Sequence, residues 1–404
     1  MQKEFVVKQK QAYLNQKVIK FLKNIIRGVV VGKWYSVPTK IVFGVNSLEK
    51  VKDCVDYFSP KKILLVTGRK SMEKLGVIDR IKEYLKSYSI IHFNEVEPNP
   101  SIQTVEKGME ICKEEKCDLV MGLGGGSSMD AAKAIAILQK NEGKVKEYLD
   151  RKRTVKNRGL PLIQITSTSG TASEVSKYSV ITDLEEKSKK VIHHDLMHPD
   201  FAIIDPTLTK SMPKGVTAST GMDALSHAVE SYWSKNASPM SEMFALKSIE
   251  LNYNNLLKVI KEPDNMEYRV NMSLASLFAG LAFDNTGTNV MHSMSFPLTS
   301  LFDIPHGHAC CLTMTGVMKF NKDVAKDKLQ KLVGITGTKN IDEGIENIQK
   351  FLEATGLPMK LSELGLSEKD IDSIIKDGFR PEKMETNPKH ITEDVMRKIL
   401  ISIL

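Results

Sequence analysis

One carboxylate and three histidines in the second half of the chain are of the types that bind a metal ion. Asp223 and His227 are four residues apart in a stretch without helix breakers, so a helix would place them on one face. His292 lies in an apolar, Met-rich stretch, and His306 lies in a Pro-His-Gly turn. Three imidazoles and one carboxylate suit Fe²⁺ or Zn²⁺ better than Mg²⁺ or Ca²⁺. For an isolated Asp-x-x-x-His pair, a capping Asp and buried core histidines are the alternative.

A glycine-rich turn in the first half could bind a phosphate. Residues 119–122 form a short apolar run typical of a strand, and residues 124–133 follow it with the sequence GGGSSMDAAK. Glycines let backbone amides approach a phosphate, and a helix N-terminus favours an anion. The turn matches neither the Rossmann fingerprint nor a Walker A loop, and many such turns serve packing alone.

A second polar turn has the same position relative to a strand. Residues 162–165, with the sequence LIQI, are typical of a strand, and residues 166–174 then supply a series of hydroxyl groups. The alternative is a Ser/Thr-rich helix cap in which Glu174 completes a capping box. Two polar, glycine-bearing turns at the carboxyl ends of neighbouring strands are typical of nucleotide sites in open α/β sheets.

The pattern of strands and helices changes midway along the chain. Strands alternate with helices in the first half, which predicts an α/β domain with a parallel sheet and helices on both faces. Long helical patterns dominate from about Met212 onwards and predict an all-α domain. We therefore predict a basic N-terminal extension at 1–33, a dinucleotide-binding domain at 34–211 and a helical metal-binding domain at 212–404, with a cleft between the two domains.

Composition excludes several other classes of protein. The chain has 404 residues, 41% of them hydrophobic and 26% charged, which fits a soluble protein of two domains. The lysines behind the net charge of +8 are mostly scattered, so nucleic acid binding has no specific support. No apolar run reaches the roughly 18 residues of a membrane span. The five cysteines include no C-x-x-C pair, which predicts free thiols and a cytoplasmic location.

Four motifs in order resemble the iron-containing (group III) alcohol dehydrogenase family. They are the glycine turn at 124–133, STSGTASE at 167–174, GMDALSHA at 221–228, and His292 with PHG at 305–307. The resemblance extends from about Tyr35 to the C-terminus. It implies NAD(P)-dependent interconversion of small-molecule alcohols with aldehydes or ketones, a divalent metal that is Fe²⁺ or alternatively Zn²⁺, and a homo-oligomer.

The same resemblance assigns roles to individual residues. The implied metal ligands are Asp223, His227, His292 and His306. The implied pyrophosphate contacts are Gly125, Gly126, Ser127 and Asp130, and the contacts to ribose and nicotinamide are Thr168 and Thr171. Lys189 is expected near the cofactor and Leu208 beside the adenine, although Lys189 could equally be a surface charge in a lysine-rich turn. His308 falls at a position that is usually not a ligand in the family.

Two departures from the family pattern concern the cofactor and the substrate. Many members carry an Asp that binds the adenosine ribose where this chain has Gly68, followed by Arg69; we therefore expect Gly68 at the cofactor and NADP rather than NAD. Phe296 replaces a histidine often credited with proton relay. The sequences around His227 and His292 resemble a branch of phosphonoacetaldehyde reductases, which implies a role in phosphonate biosynthesis.

Other functions stay open at this point. A generic short-chain alcohol dehydrogenase of the butanol or lactaldehyde type is one alternative. A lyase related to dehydroquinate synthase shares the two-domain plan and a metal. A non-catalytic nucleotide-binding protein is a third, although it would have no reason to retain a metal.

Overall fold

The structure is a computed structural model that describes residues 35–404. The predicted basic extension, residues 1–33, lies outside the described residues. Strands in the described chain are β1 (Lys40–Phe43), β2 (Lys62–Gly68), β3 (Ser89–Val96), β4 (Leu119–Gly124), β5 (Leu162–Thr166), β6 (Tyr178–Asp183), β7 (Ser188–His193) and β8 (Phe201–Ile204).

Six of these strands form one parallel sheet in the order β1-β8-β5-β4-β2-β3. In β2, Ile63 and Leu65 face one core cluster, whereas Leu64 and Val66 face another, because side chains alternate along a strand. Helices cover both clusters, which explains why this strand is apolar at successive positions. The predicted α/β sheet with helices on both faces is confirmed.

The described chain also contains α-helices, which connect the strands and make up most of the second half. They are α1 (Val51–Asp56), α2 (Ser71–Lys74), α3 (Val77–Tyr84), α4 (Ile102–Glu114), α5 (Gly126–Leu138), α6 (Val145–Leu149), α7 (Lys214–Trp233), α8 (Pro239–Lys261), α9 (Met266–Thr286), α10 (Val290–Phe302), α11 (His306–Leu312), α12 (Met314–Asn321), α13 (Lys326–Gly334), α14 (Ile341–Glu353), α15 (Ile371–Gly378), α16 (Pro381–Met384) and α17 (Glu393–Ile401). Helix α7 is buried along almost its whole length and packs against α8, α9 and α11.

The change from strands to helices falls between Ile204 and Lys214. This confirms the predicted helical second half, and the interval contains residue 211, where we predicted the domain boundary. Val37–Leu404 nevertheless forms a single unit in its contacts, so the division at residue 211 stays a prediction.

Strands β6 and β7 form an antiparallel hairpin that the sequence analysis did not predict. Residues 188–193 are three polar residues, two apolar residues and a histidine, without the alternation typical of a half-buried strand, and a lysine-rich turn was the alternative interpretation for Lys189. The hairpin places Lys189 in a strand, where its side chain is 6% exposed. The alternative that Lys189 is a surface charge is therefore wrong.

Two further expectations concern the membrane and the thiols. Across residues 35–404, every helix is too short or too polar to cross a bilayer. All five cysteines fall in this range, and each is buried and free, as predicted from their number and spacing.

Candidate metal centre and cofactor cleft

The structure brings Asp223, His227, His292 and His306 together. The Oδ1 atom of Asp223 lies 3.5 Å from Nδ1 of His227 and 3.6 Å from Nε2 of His292. It lies 3.8 Å from Nε2 of His306. The first three of these atoms are buried without a hydrogen-bond partner among the described residues. Because unpartnered buried polar atoms are costly, a cation shared by these groups fits the site.

Three helices position these side chains. Helix α7 carries Asp223 and His227 one turn apart, as predicted, and α10 carries His292. His306 is the first residue of α11 rather than part of an isolated turn. Gly307 lets α11 approach α7 closely, since a Cβ atom there would lie 2.0 Å from the carbonyl oxygen of Ser219.

A buried carboxylate, Glu230, orients one of the histidines. The Nδ1 atom of His292 lies 2.7 Å from Oε2 of Glu230, so Nδ1–H donates to the carboxylate and leaves the Nε2 lone pair facing Asp223. Glu230 also accepts hydrogen bonds from the backbone amides of Asn289 and Met291, at 2.7 and 2.5 Å, where α10 begins. The sequence analysis missed Glu230, although it follows Asp223 by seven residues and so shares its helix face.

We expect Glu230→Gln to weaken metal binding by about 10–100-fold, the usual cost of losing a partner that orients a ligand. The amide keeps the shape of the side chain but removes the charge that supports His292. Titration of the variant with Fe²⁺ against a competing chelator measures the effect. Thermal unfolding of the metal-free protein is the control for folding, and an unchanged metal affinity would contradict this role.

Cys310 also lies at the centre, which the sequence analysis did not predict. Potential ligand atoms of Asp223, His292, His306 and Cys310 all lie within 4.8 Å of one another, and His227 stands outside this group. Burial raises the pKa of Cys310, but His292 and His306 lower it more, to about 7. His308 points elsewhere, with Nε2 2.5 Å from the carbonyl oxygen of Pro358, as expected for a residue that is not a ligand.

The two polar turns touch each other at the end of neighbouring strands β4 and β5. A Cβ atom on Gly126 would lie 2.8 Å from Cγ2 of Thr171, and one on Gly125 would lie 3.3 Å from Cγ2 of Thr168. Larger residues would therefore push the turns apart. Gly124 has a φ of +141°, a conformation that other residues rarely adopt. The arrangement leaves backbone amides free to approach a phosphate.

Asp130 and Lys189 have contacts that specify their positions. The carboxylate of Asp130 accepts hydrogen bonds from the Ser173 hydroxyl at 2.6 Å and from the Val180 amide at 3.0 Å. Asp130 therefore connects the second polar turn and the hairpin to α5. Its predicted contact with pyrophosphate stays a prediction. Lys189 donates to Oδ1 of Asn99 at 2.8 Å, and burial lowers its pKa.

A cleft of about 770 Å³ joins the glycine turn to the centre. Its lining includes, from the predicted set, Gly126, Ser127, Asp130, Thr171, Lys189, Asp223, His227, His292 and His306. The predicted cofactor contacts outside the lining are Gly68, Gly125, Thr168 and Leu208. Leu208 is 4% exposed and packs in the core beneath the sheet, so its position does not support an adenine contact.

Comparisons with known proteins agree with this architecture. The family model "Iron-containing alcohol dehydrogenase" matches residues 38–206, and the C-terminal model of the same family matches residues 217–404. The 1,3-propanediol dehydrogenase of Klebsiella pneumoniae is 34% identical over 377 residues, which cover 90% of this chain and 97% of that protein. The NADPH-dependent butanol dehydrogenase of Clostridium saccharobutylicum is 34% identical, covering 90% and 96%.

A solved structure gives the same result. The sulfoacetaldehyde reductase of Bifidobacterium kashiwanohense, in complex with NAD⁺, superimposes with a TM-score of 0.87 at 33% identity, covering 92% of this chain and 99% of that one. None of these matches supports a lyase related to dehydroquinate synthase. The chain belongs to the iron-containing alcohol dehydrogenase family and is an NAD(P)-dependent oxidoreductase that interconverts alcohols and aldehydes.

Proposed function

We propose that the enzyme reduces phosphonoacetaldehyde to 2-hydroxyethylphosphonate with NADPH and a divalent metal held by Asp223, His227, His292 and His306. The observation that carries the proposal is the convergence of these side chains in the cleft that begins at the glycine turn. The similarity to a sulfoacetaldehyde reductase supports the substrate, because both aldehydes have two carbons and an anionic head group.

The parts of the cleft divide the chemistry between them. When bound, the metal supplies Lewis acidity to the carbonyl oxygen and the nicotinamide supplies a hydride to the carbonyl carbon. The two polar turns would hold the cofactor, and the cleft would keep it in register with the aldehyde. Phe296 packs parallel to His306, with ring centroids 6.2 Å apart, and cannot move a proton. The proton that completes the alcohol therefore comes from water or from a ribose hydroxyl of the cofactor.

A panel of aldehydes tests the proposal. The purified enzyme is loaded with Fe²⁺ or Zn²⁺ and assayed with phosphonoacetaldehyde, butanal and lactaldehyde, using NADPH and NADH in parallel. We expect the highest kcat/KM for phosphonoacetaldehyde with NADPH. A higher kcat/KM for butanal or lactaldehyde would replace the proposal with the generic short-chain alcohol dehydrogenase.

The expected NADPH preference depends on Gly68 at the end of β2 and on the exposed Arg69 that follows it. A Cβ atom on Gly68 would lie 3.6 Å from the nearest atom, the carbonyl oxygen of Val96, so a side chain fits there. We expect Gly68→Asp to shift the ratio of kcat/KM for NADPH over NADH by at least about tenfold towards NADH, because the carboxylate repels the 2′-phosphate. A wild-type enzyme that prefers NADH would contradict this explanation.

A further inference from the structure

Two cationic side chains, Arg380 and Lys383, line the same cleft as the candidate metal ligands. Both are partly buried. Within residues 35–404, neither has a carboxylate oxygen within 4.0 Å of its charged group. Partly buried charges without a counter-ion are unfavourable unless something else neutralises them. These two cations are therefore candidates for binding an anion in the cleft.

The other cations in this lining already have partners. Arg151 lies 3.3 Å from Glu382, and Lys177 lies 2.9 Å from Asp195. Lys190 lies 2.6 Å from carboxylate oxygens of both Asp150 and Glu186. Lys189 donates to Asn99 beside the glycine turn and belongs to the predicted cofactor contacts. Arg380 and Lys383 thus differ from these neighbours, because within residues 35–404 neither of them has an anionic partner in contact.

Arg380 is held one aromatic ring away from the candidate metal centre. Its guanidinium carbon lies 4.3 Å from the centroid of the Phe296 ring, a cation–π contact. The same ring also lies nearly parallel to the ring of His306. Among residues 35–404, the guanidinium makes one hydrogen bond, from Nη2 to the carbonyl oxygen of Lys189 at 3.2 Å. Most of its five N–H donors are left for another partner.

Lys383 is fastened to the start of the helix that carries His292. Its ammonium group donates to the hydroxyl of Thr288 at 2.8 Å, two residues before α10 begins. The side-chain amide of Asn289 donates to the hydroxyl of Thr386 at 2.6 Å. The residues just before α10 therefore have a second hydrogen bond to the segment that contains Lys383. An ammonium group has three N–H donors, so two remain for a ligand.

Several positive charges act on one another in this part of the cleft, although Glu382 also lines it. Burial lowers the pKa of His193, which also lines the cleft, and the charges of Arg151, Lys383 and Lys177 lower it further. Burial likewise lowers the pKa of Lys383; Glu230 and Glu382 oppose this effect, whereas Arg380 and Arg151 add to it. An anionic ligand would relieve the repulsion among these groups.

We propose that Arg380 and Lys383 form the subsite for the head group of the substrate, a tetrahedral oxyanion that is a phosphonate or a sulfonate. The planar guanidinium binds two oxygens of such a group side by side, and the ammonium binds a third. The head group then lies on the Arg380 side of Phe296, and the aldehyde faces Asp223 and the histidines. This inference rests on the proposed function and deepens it, because it names the residues that select the substrate.

The kinetic test uses Arg380→Gln and Lys383→Gln in the metal-loaded enzyme. Substrates are phosphonoacetaldehyde, sulfoacetaldehyde and the neutral propanal. We expect each variant to lose about 10–100-fold in kcat/KM for the anionic substrate, mainly through KM, the usual effect of losing a charged hydrogen bond. We expect kcat/KM for propanal to fall much less in both variants, because propanal has no anionic head group. If kcat/KM falls more for phosphonoacetaldehyde, the preferred head group is a phosphonate. If it falls more for sulfoacetaldehyde, the preferred head group is a sulfonate.

The matched control is Lys190→Gln, which removes one positive charge from the same lining but from a lysine that already has two carboxylate partners. We expect the ratio of kcat/KM for the anionic aldehydes over propanal to be the same in this variant as in the wild type. Equal losses for anionic and neutral aldehydes in the Arg380 and Lys383 variants would overturn the subsite, as would no loss at all.

Calorimetry separates failure of the subsite from failure of the proposed function. The holoenzyme is titrated with methylphosphonate and with methanesulfonate, which carry the head group without the aldehyde. Binding that both substitutions abolish supports the subsite, even if no aldehyde is turned over and the proposed reaction is wrong. Turnover of propanal without binding of either anion would overturn the subsite and leave the dehydrogenase intact.

Discussion

We expect His227→Ala to leave the purified protein with little metal and with activity reduced by more than about 100-fold. The substitution removes a buried nitrogen that faces Asp223 at 3.5 Å and has no hydrogen-bond partner among the described residues. A lost ligand costs more than the 10–100-fold expected for a lost partner of a ligand. Metal content by atomic spectroscopy and kcat/KM measured on the same sample check the result. A variant that keeps both would refute the role of His227.

His308→Gln is the matched control for this experiment. His308 is buried two residues after His306, but its Nε2 atom bonds to the carbonyl oxygen of Pro358, away from Asp223. Glutamine can donate a hydrogen bond to the same carbonyl. We expect this variant to keep its metal, so a loss that also occurs here would point to general damage of the helical half rather than to a missing ligand.

Gly307→Ala separates the two helices that bring His306 to Asp223. The added Cβ atom would lie 2.0 Å from the carbonyl oxygen of Ser219 and 2.7 Å from Cβ of Asp223, both parts of α7. The backbone of α7 is close-packed and cannot accommodate the added atom in place, so α11 must shift and His306 must shift with it. We expect a destabilisation of about 1–3 kcal/mol and a loss of metal affinity comparable with that of a ligand variant. Thermal unfolding and metal titration measure the two effects separately.

Gly215→Ala is the control for that substitution. Gly215 lies near the start of α7, and a Cβ atom there would meet nothing within 4 Å. Alanine in a helix is favoured over glycine by about 0.5–1 kcal/mol, so this variant should be equally or more stable and fully able to bind metal. If Gly307→Ala behaves in the same way, close packing at Gly307 does not position His306.

Local patterns predicted most of the fold, because the patterns typical of strands and of helices were both strong. The apolar strand at 119–122 and the helical stretch that carries Asp223 and His227 could be identified from their own residues, although this helix begins earlier, at Lys214. The hairpin of β6 and β7 could not, since β7 begins with three polar residues and lacks the apolar run of the sheet strands. Pairing between strands depends on contacts that a single segment does not reveal.

The site could be predicted only in part, for a related reason. The spacing of Asp223 and His227 indicates one helix face, but nothing in the sequence shows that His292 and His306 come to the same point. The resemblance to a family supplied that step. Glu230 could have been found on the same helix face, whereas Arg380 reaches the cleft from more than seventy positions after His306 and needs the tertiary structure.

The central claim is that one divalent metal is shared by Asp223, His227, His292 and His306 beside the glycine turn. Anomalous diffraction at the iron absorption edge, from crystals of the iron-loaded enzyme, tests this claim most directly. We predict a single strong peak within bonding distance of all four side chains, with Cys310 as their nearest sulfur neighbour. A peak elsewhere in the protein, or one that omits two or more of these four residues, would contradict the account.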